Sequence, residues 1–139
     1  MRVLLDTSLI FNFMDRPSAF SDLERRILEA SGTEVFVSAV SVWEMRLKYQ
    51  SRYPSGDRKS RFAPENVLDA LEPQNITFLP MTMRHAATIL SVPLMHRDPF
   101  GEMLLVQAQE EGLRLLTRDR ALLDHPLAVA VRALGKSEV

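Results

Sequence analysis

Short apolar runs closed by a polar or charged residue alternate along the chain with stretches in which apolar side chains recur at helical spacing. The runs predict strands at Val3–Asp6, Glu34–Ser38, Thr77–Pro80, Arg114–Thr117 and, more weakly, Ala128–Val131. Between them the periodicity predicts helices from Ser8 to Met14, from Ser21 to Ala30, from about Val40 onward through Lys48, from Pro64 to Leu71, from Thr82 to Leu90, from Pro99 to Glu111, and a short one over Arg120 to Leu123. Local signals support the boundaries. Ser21 and Glu24 have capping-box spacing, Pro64 and Pro99 suit first helical positions, and Gly32 and Gly112 supply stops. Every strand but the last is reached through a helix, the pattern of an α/β fold with a parallel sheet. Met81, Met83, Met95, Met103 and the phenylalanines read as core or gap-filling material, and Trp43 as a core anchor.

The segment Gln50 to Phe62 breaks this rhythm. It carries Arg52, Pro54, Gly56, Asp57, Arg58, Lys59 and Arg61 in a short span and reads as an exposed basic loop. Such a run is ordinarily a solvated connection; beside an acidic site it becomes a clamp for phosphates.

At 139 residues the chain fits a single domain, 1–139, able to bury roughly two thirds of the surface of its unfolded form. Its 46% hydrophobic and 25% charged residues are ordinary for a globular protein, which excludes disordered and fibrous classes. The absence of cysteine excludes disulfide frameworks and thiolate metal sites. His85, His96 and His125 are dispersed and without ligand-spaced partners, so they read as structural or exposed. Oxygen ligands are what remains. With a formal net charge of −1 there is no global basic field, so a polyanion must be held locally. The N-terminus reaches Asp6 after three apolar residues, too few for a signal sequence or membrane span, and a cytoplasmic location is expected.

The candidate chemistry lies in acids placed where strands end or helices begin. Asp6 closes Val3-Leu4-Leu5, Glu44 follows Val35-Phe36-Val37 by less than two helical turns, Asp98 precedes Pro99, and Asp119 follows Leu115-Leu116-Thr117. In an open parallel sheet such points gather at the carboxyl ends of the strands, where these folds bind ligands. Carboxylates crowded there repel one another unless a cation neutralises them, which makes a hard divalent metal the first hypothesis. Helix capping is the simpler explanation for each acid alone, most of all for Asp98. For Asp6, Thr7 and Ser8 could cap equally well. Glu44 would share a helical face with Val40, Leu47 and Lys48, which decides nothing. Asp98 and Glu102 both fall in the first turn of one helix, where the dipole also suits Glu102. It is the set at one sheet edge that favours function.

These residues resemble a family. Val3-Leu4-Leu5-Asp6-Thr7-Ser8, Ser41-Val42-Trp43-Glu44, Pro93-Leu94-Met95-His96-Arg97-Asp98-Pro99-Phe100 with Leu104 to Gln109 behind it, and Leu116-Thr117-Arg118-Asp119 look like the PIN-domain ribonucleases, especially the VapC-type toxins of bacterial toxin–antitoxin pairs. The match runs in order through the whole chain. It implies a three-layer α/β/α sandwich around a mainly parallel sheet of about five strands. It also implies clustered acids holding Mg²⁺ or Mn²⁺ to cut RNA, a VapB-like antitoxin and homodimerisation. By resemblance Asp6, Glu44 and Asp119 take the first, second and fourth acidic positions. At the third, members with the His-Arg-Asp-Pro-Phe motif carry a second aspartate three residues after the first, and this chain has Gly101. Asp98 and Glu102 are the substitutes; Glu102 is offset by about 100° on the helix.

The implied reaction has Asp6, Asp119 and Asp98 or Glu102 completing a partly hydrated metal shell, with Glu44 orienting or deprotonating the attacking water. Arg46, Lys48, Arg52, Arg58, Lys59 and Arg61 are candidates for the RNA backbone. A haloacid-dehalogenase-like phosphatase would need an acid where Ser8 stands, and a response-regulator receiver an acidic pair where only Asp6 is present. The competing expectation is a non-enzyme, a degenerate PIN fold that binds an antitoxin or RNA, with Gly101 marking lost catalysis.

Overall fold

The structure, a computed structural model, describes residues 1–14 and 17–129. The chain runs β1 (Arg2–Leu5), α1 (Thr7–Met14), α2 (Asp22–Glu29), β2 (Glu34–Ser38), α3 (Ala39–Gln50), α4 (Pro64–Leu71), β3 (Ile76–Leu79), α5 (Met83–Ala87), α6 (Pro99–Glu111), β4 (Arg114–Leu116) and α7 (Arg120–Leu123). The strands form one parallel sheet in the order β3-β2-β1-β4, with Val3 opposite Val35 and Leu5 opposite Leu116. From β1 the chain steps outward to β2 and β3, then returns to lay β4 on the other side. The direction of winding therefore reverses between β1 and β4, and the loops leaving those two strands part there to form a crevice.

The period-two alternation of β1 and β4 divides the core into two layers. Val3, Leu5, Val37 and Leu116 pack with Leu9 and Ile10 of α1, Ile27 of α2 and Val67 and Leu71 of α4. Leu4, Phe36 and Leu115 face the opposite way, against Leu104, Leu105 and Ala108 of α6 and Leu122 of α7. Both sheet faces are thus covered by helices, as a parallel sheet requires, and the α/β/α sandwich expected from the sequence is the observed fold.

Element boundaries agree with the sequence pattern to within a residue or two, and the exceptions have local causes. Ser21 and Glu24 form the full capping box, with Ser21 Oγ accepting the Glu24 amide at 3.1 Å and Glu24 Oε1 the Ser21 amide at 2.8 Å. Gly112 ends α6 at φ 67°, a left-handed conformation that glycine adopts without penalty. The helix expected from Thr82 to Leu90 stops at Ala87 because Thr88 turns extended and its hydroxyl caps the Arg84 carbonyl at 2.7 Å. The described residues hold four strands rather than about five. Ala128 makes a single parallel bridge to Leu115, and Ala130 and Val131, the rest of the expected fifth strand, lie outside the described residues.

Five burial expectations are corrected: Met81 and Phe78 are exposed rather than core, and so are three others. Met83 and Met95 are 90% and 88% exposed and Trp43 is 47% exposed, with its ring edge-on to Phe100 at 5.0 Å. Trp43 lies on the outer side of α3, and Met95 falls in the irregular stretch between α5 and α6, where no periodic face turns it inward. His85 and His125 are buried and structural, as expected. Among the described residues no helix is long and apolar enough to cross a membrane.

Candidate active site

An open cleft of about 390 Å³ lies where β1 and β4 end, lined by Asp6, Thr7, Ser8, Glu44, Lys48, Asp98, Gly101, Arg118 and Asp119. All four strand-end or helix-start acids are brought together there, from β1, α3, the start of α6 and the start of α7. A larger cavity, about 540 Å³, is lined by Phe13, Phe20, Leu28, Val35 and Ile76 and carries one acid, Glu29, so charge chemistry belongs to the smaller cleft.

Asp6 is the centre of the arrangement. Its Oδ1 accepts the Thr7 amide at 2.8 Å and its Oδ2 the Thr117 hydroxyl at 2.6 Å. Its own amide donates to the Leu116 carbonyl at 2.9 Å, which extends the β1–β4 ladder to the cleft. Burial pushes the carboxyl pKa above its ordinary value; the bonds from Thr117 and Thr7 oppose that shift, and the negative charges of Glu44 and Asp119 add to it.

Glu44 is fixed from both sides. Thr7 Oγ1 stands 2.8 Å from Glu44 Oε1 and 2.9 Å from Ser41 Oγ; because a carboxylate can only accept, Thr7 donates its one proton to Glu44 and receives that of Ser41. Lys48 Nζ pairs with Glu44 Oε2 at 2.9 Å, one turn along α3. Asp119 caps α7 through Oδ1 and the Ala121 amide at 2.9 Å, and its own amide donates to Thr117 Oγ1 at 3.0 Å. Asp98 caps α6 through Oδ1 and the Gly101 amide at 3.0 Å. Capping is therefore real for Asp98 and Asp119, and both still line the cleft. Glu102 is exposed and is not among the lining residues.

Of the basic candidates Lys48 alone lines the cleft. Arg46 donates to Gln50 Oε1 at 3.1 Å. Arg52 and Arg58 pair as an antiparallel bridge and donate to the Gly56 and Tyr49 carbonyls, both at 2.7 Å, with Arg58 stacked on the Tyr49 ring. Lys59 lies over Tyr53 and Arg61 over Phe62, beside a shallow depression shared with Phe11. The basic loop is thus a folded hairpin held partly by its own cations.

The sequence reading did not single out Thr7, Ser41, Thr117 and Arg118. The hydroxyls give no signal beyond their place next to an acid. Arg118 does: an arginine between a strand end and a capping aspartate needs a counter-charge, and Glu24 supplies it. Its Nε and Nη2 reach Glu24 Oε2 and Oε1 at 2.7 and 2.5 Å, and it also donates to the Ala19 carbonyl and, with the amide turned, to Asn12. Desolvation alone would raise the Glu24 pKa, but the Arg118 and Ser21 hydrogen bonds outweigh it and hold the carboxyl below its ordinary value. Arg118 is thereby already neutralised, and the cleft carries excess negative charge.

The sequence that folds into this parallel α/β/α sandwich matches the PIN domain family model over residues 3–126. The chain belongs to the PIN domain family, as the sequence resemblance implied. No curated protein matches it in sequence. Among solved structures it is similar to a chain of VapBC2 from Rickettsia felis bound to a DNA fragment from their promoter, at 13% identity and TM-score 0.58, over 93% of this chain and 96% of that one. At that identity the likeness is one of fold.

PIN domains are generally metal-dependent nucleases, and the donor chemistry here fits a hard cation. The cleft offers carboxylate and hydroxyl oxygens and no thiolate. Among the described residues no three acids or histidines stand close enough to form a closed ligand set. A small divalent ion that keeps several waters suits that spacing better than one requiring full protein ligation.

Proposed function

We propose that this protein is a divalent-metal-dependent endoribonuclease, the toxin of a type II toxin–antitoxin pair of the VapC kind. The observation that carries the reading is Asp6: a half-buried carboxylate at a sheet switch point, sharing the cleft with Glu44 and Asp119, with its pKa pushed up by partial burial and like charge. A phosphodiester is itself an anion and cannot enter such a cleft unless a cation offsets the acids. Mg²⁺ or Mn²⁺ fits, held by Asp6, Asp119 and an acid from the first turn of α6, and when bound would acidify water and stabilise charge on phosphorus.

The protein's own groups supply the remaining chemistry. Glu44, its Oε1 fixed by Thr7, orients the attacking water and accepts its proton as the oxygen adds to phosphorus. The ribose 3′ oxygen leaves and takes up a proton, giving a 5′-phosphate and a 3′-hydroxyl. Lys48, which pairs with Glu44 at 2.9 Å, faces the phosphate charge in this reading. The basic hairpin, with Arg46, contributes to the RNA backbone at longer range. A VapB-like antitoxin as partner draws support from the VapBC2 complex that the fold resembles. Homodimerisation would cover some of the apolar surface at Met83, Ile89 and Met95. A cytoplasmic location accords with an RNA substrate.

The test is cleavage of a labelled RNA pool by antitoxin-free protein with Mg²⁺ or Mn²⁺, with EDTA and Asp6→Asn as controls. Cutting abolished by both controls is the expected result. The second reading is a degenerate PIN fold that binds an antitoxin or RNA, with Gly101 marking lost catalysis. It prevails if the wild type neither cuts nor binds metal by calorimetry.

A further inference from the structure

A β-carbon built on Gly101 would stand 2.5 Å from Asp98 Oδ2, 3.0 Å from Asp98 Cγ and 3.1 Å from Leu122 Cδ2. Carbon and oxygen do not approach to 2.5 Å without one of them moving. The volume a side chain at position 101 would fill is therefore occupied by the Asp98 carboxylate, with Leu122 of α7 behind it. Asp98 reaches this place because it is the N-cap of α6: its backbone is extended, at φ −142° and ψ 90°, and Oδ1 folds back onto the Gly101 amide at 3.0 Å. That bond engages Oδ1 and sets Oδ2 over the glycine. Both residues line the acidic cleft, and Glu102, in the same turn, does not.

We propose that Asp98, and not Glu102, is the acid α6 contributes to the divalent cation, and that Gly101 is the part of the site that makes room for it. The inference rests on the nuclease reading above and deepens it. On this account the missing side chain at 101 is a requirement of the arrangement rather than a sign of lost function. Restoring any side chain there would drive the Asp98 carboxylate out of its position even though no acid is removed.

The experiment is Mn²⁺ binding by titration calorimetry on the wild type and on Asp98→Asn, Glu102→Gln and Gly101→Ala, with circular dichroism and Tm of each metal-free protein. Asparagine caps helices as well as aspartate, so Asp98→Asn keeps the fold while removing the charge. The expected result is an affinity loss of about tenfold or more for Asp98→Asn and for Gly101→Ala, and a change within about twofold for Glu102→Gln. Wild-type binding that survives Asp98→Asn, or that falls with Glu102→Gln instead, overturns the assignment and leaves the nuclease reading standing. Full binding by a folded Gly101→Ala overturns the role of the glycine. A wild type that binds no Mn²⁺ defeats both readings. Should Gly101→Ala prove unfolded, the comparison of Asp98→Asn with Glu102→Gln still decides the acid.

Discussion

Thr117 Oγ1 donates to Asp6 Oδ2 at 2.6 Å while accepting the Asp119 amide at 3.0 Å, so one hydroxyl at the end of β4 joins the acid of β1 to the acid that opens α7. Thr117 is buried, so neither bond has ready competition from water.

Thr117→Val keeps the shape and removes both bonds. A half-buried carboxylate and a backbone amide each lose a partner, and the cost is about 1–3 kcal/mol in urea denaturation. The hydroxyl also favours the ionised form of Asp6, so its loss raises the Asp6 pKa further. The acid limb of a kcat/KM profile against pH should move upward. An unmoved limb would show that Asp6 ionisation does not govern activity.

Asp6 gives a prediction of opposite sign for stability. Its pKa is raised in the folded protein, so the native state holds that proton more tightly than the unfolded chain. The group's contribution is most favourable below the unfolded pKa and is lost as pH rises through the folded one. At neutral pH the metal-free protein therefore carries a penalty that Asp6→Asn removes. The variant should melt higher by a few degrees, on the order of what other site-relieving substitutions give. The gain should disappear under acid conditions where wild-type Asp6 is protonated, and Mg²⁺ should narrow it by stabilising the wild type alone. A variant that melts lower at pH 7 without metal would mean that the hydrogen bonds to Asp6 outweigh its burial.

Asp6 and Asp119 were legible in the sequence because each is the first acid after a run too apolar to lie outside the sheet. Leu4 and Leu115 face one layer, and Leu5 and Leu116 the other, so the residues that follow must emerge at one edge, which is why Asp6 and Asp119 meet. Side-chain partners were not legible in the same way. Arg52 and Arg58 read as free charge, yet their hairpin geometry turns them onto the Gly56 and Tyr49 carbonyls. Asp98 and Glu102 share a helical turn, and only the Asp98 carboxylate, seated over Gly101, separates their positions. Hydrophobicity did not locate Met83 and Met95 either: Met83 opens α5, a helix of five residues too short to define an inward face, and Met95 lies in an irregular segment with no period to say which way a residue points.

Glu24 and Arg118 hold the start of α2 to the loop after β4. Glu24 is 4% exposed and its folded pKa is depressed, so the stability it contributes is present above its unfolded pKa and is lost as pH falls through the folded value. Glu24→Gln should cost about 1–2 kcal/mol at pH 7, less than a fully buried pair because the Arg118 side chain remains 41% exposed. The difference between the two proteins should shrink in denaturation at low pH. A constant difference would assign the loss to the Ser21 capping box instead of the ion pair.

Gln107 is fully buried on α6 and connects three elements. Its Oε1 accepts the Ser38 hydroxyl at 2.5 Å, and its Nε2 reaches the Pro80 carbonyl and His85 Nδ1, each at 3.3 Å. His85 Nδ1 also accepts the Thr82 amide at 3.0 Å, which places the ring proton on Nε2, facing Glu111 Oε1 at 2.9 Å. Ser38 in turn caps α3, accepting the Val40 amide at 2.9 Å, and α3 carries Glu44. Gln107→Leu has similar volume but leaves the Ser38 proton without its acceptor, so a loss of about 1–3 kcal/mol is expected. If the chain of bonds also sets the pose of α3, kcat for RNA cleavage should fall while KM holds, because in the proposed reaction Glu44 acts on the water and not on substrate binding. Equal stability loss with unchanged kcat would confine Gln107 to the core and leave the orientation of Glu44 to Thr7 and Lys48 alone.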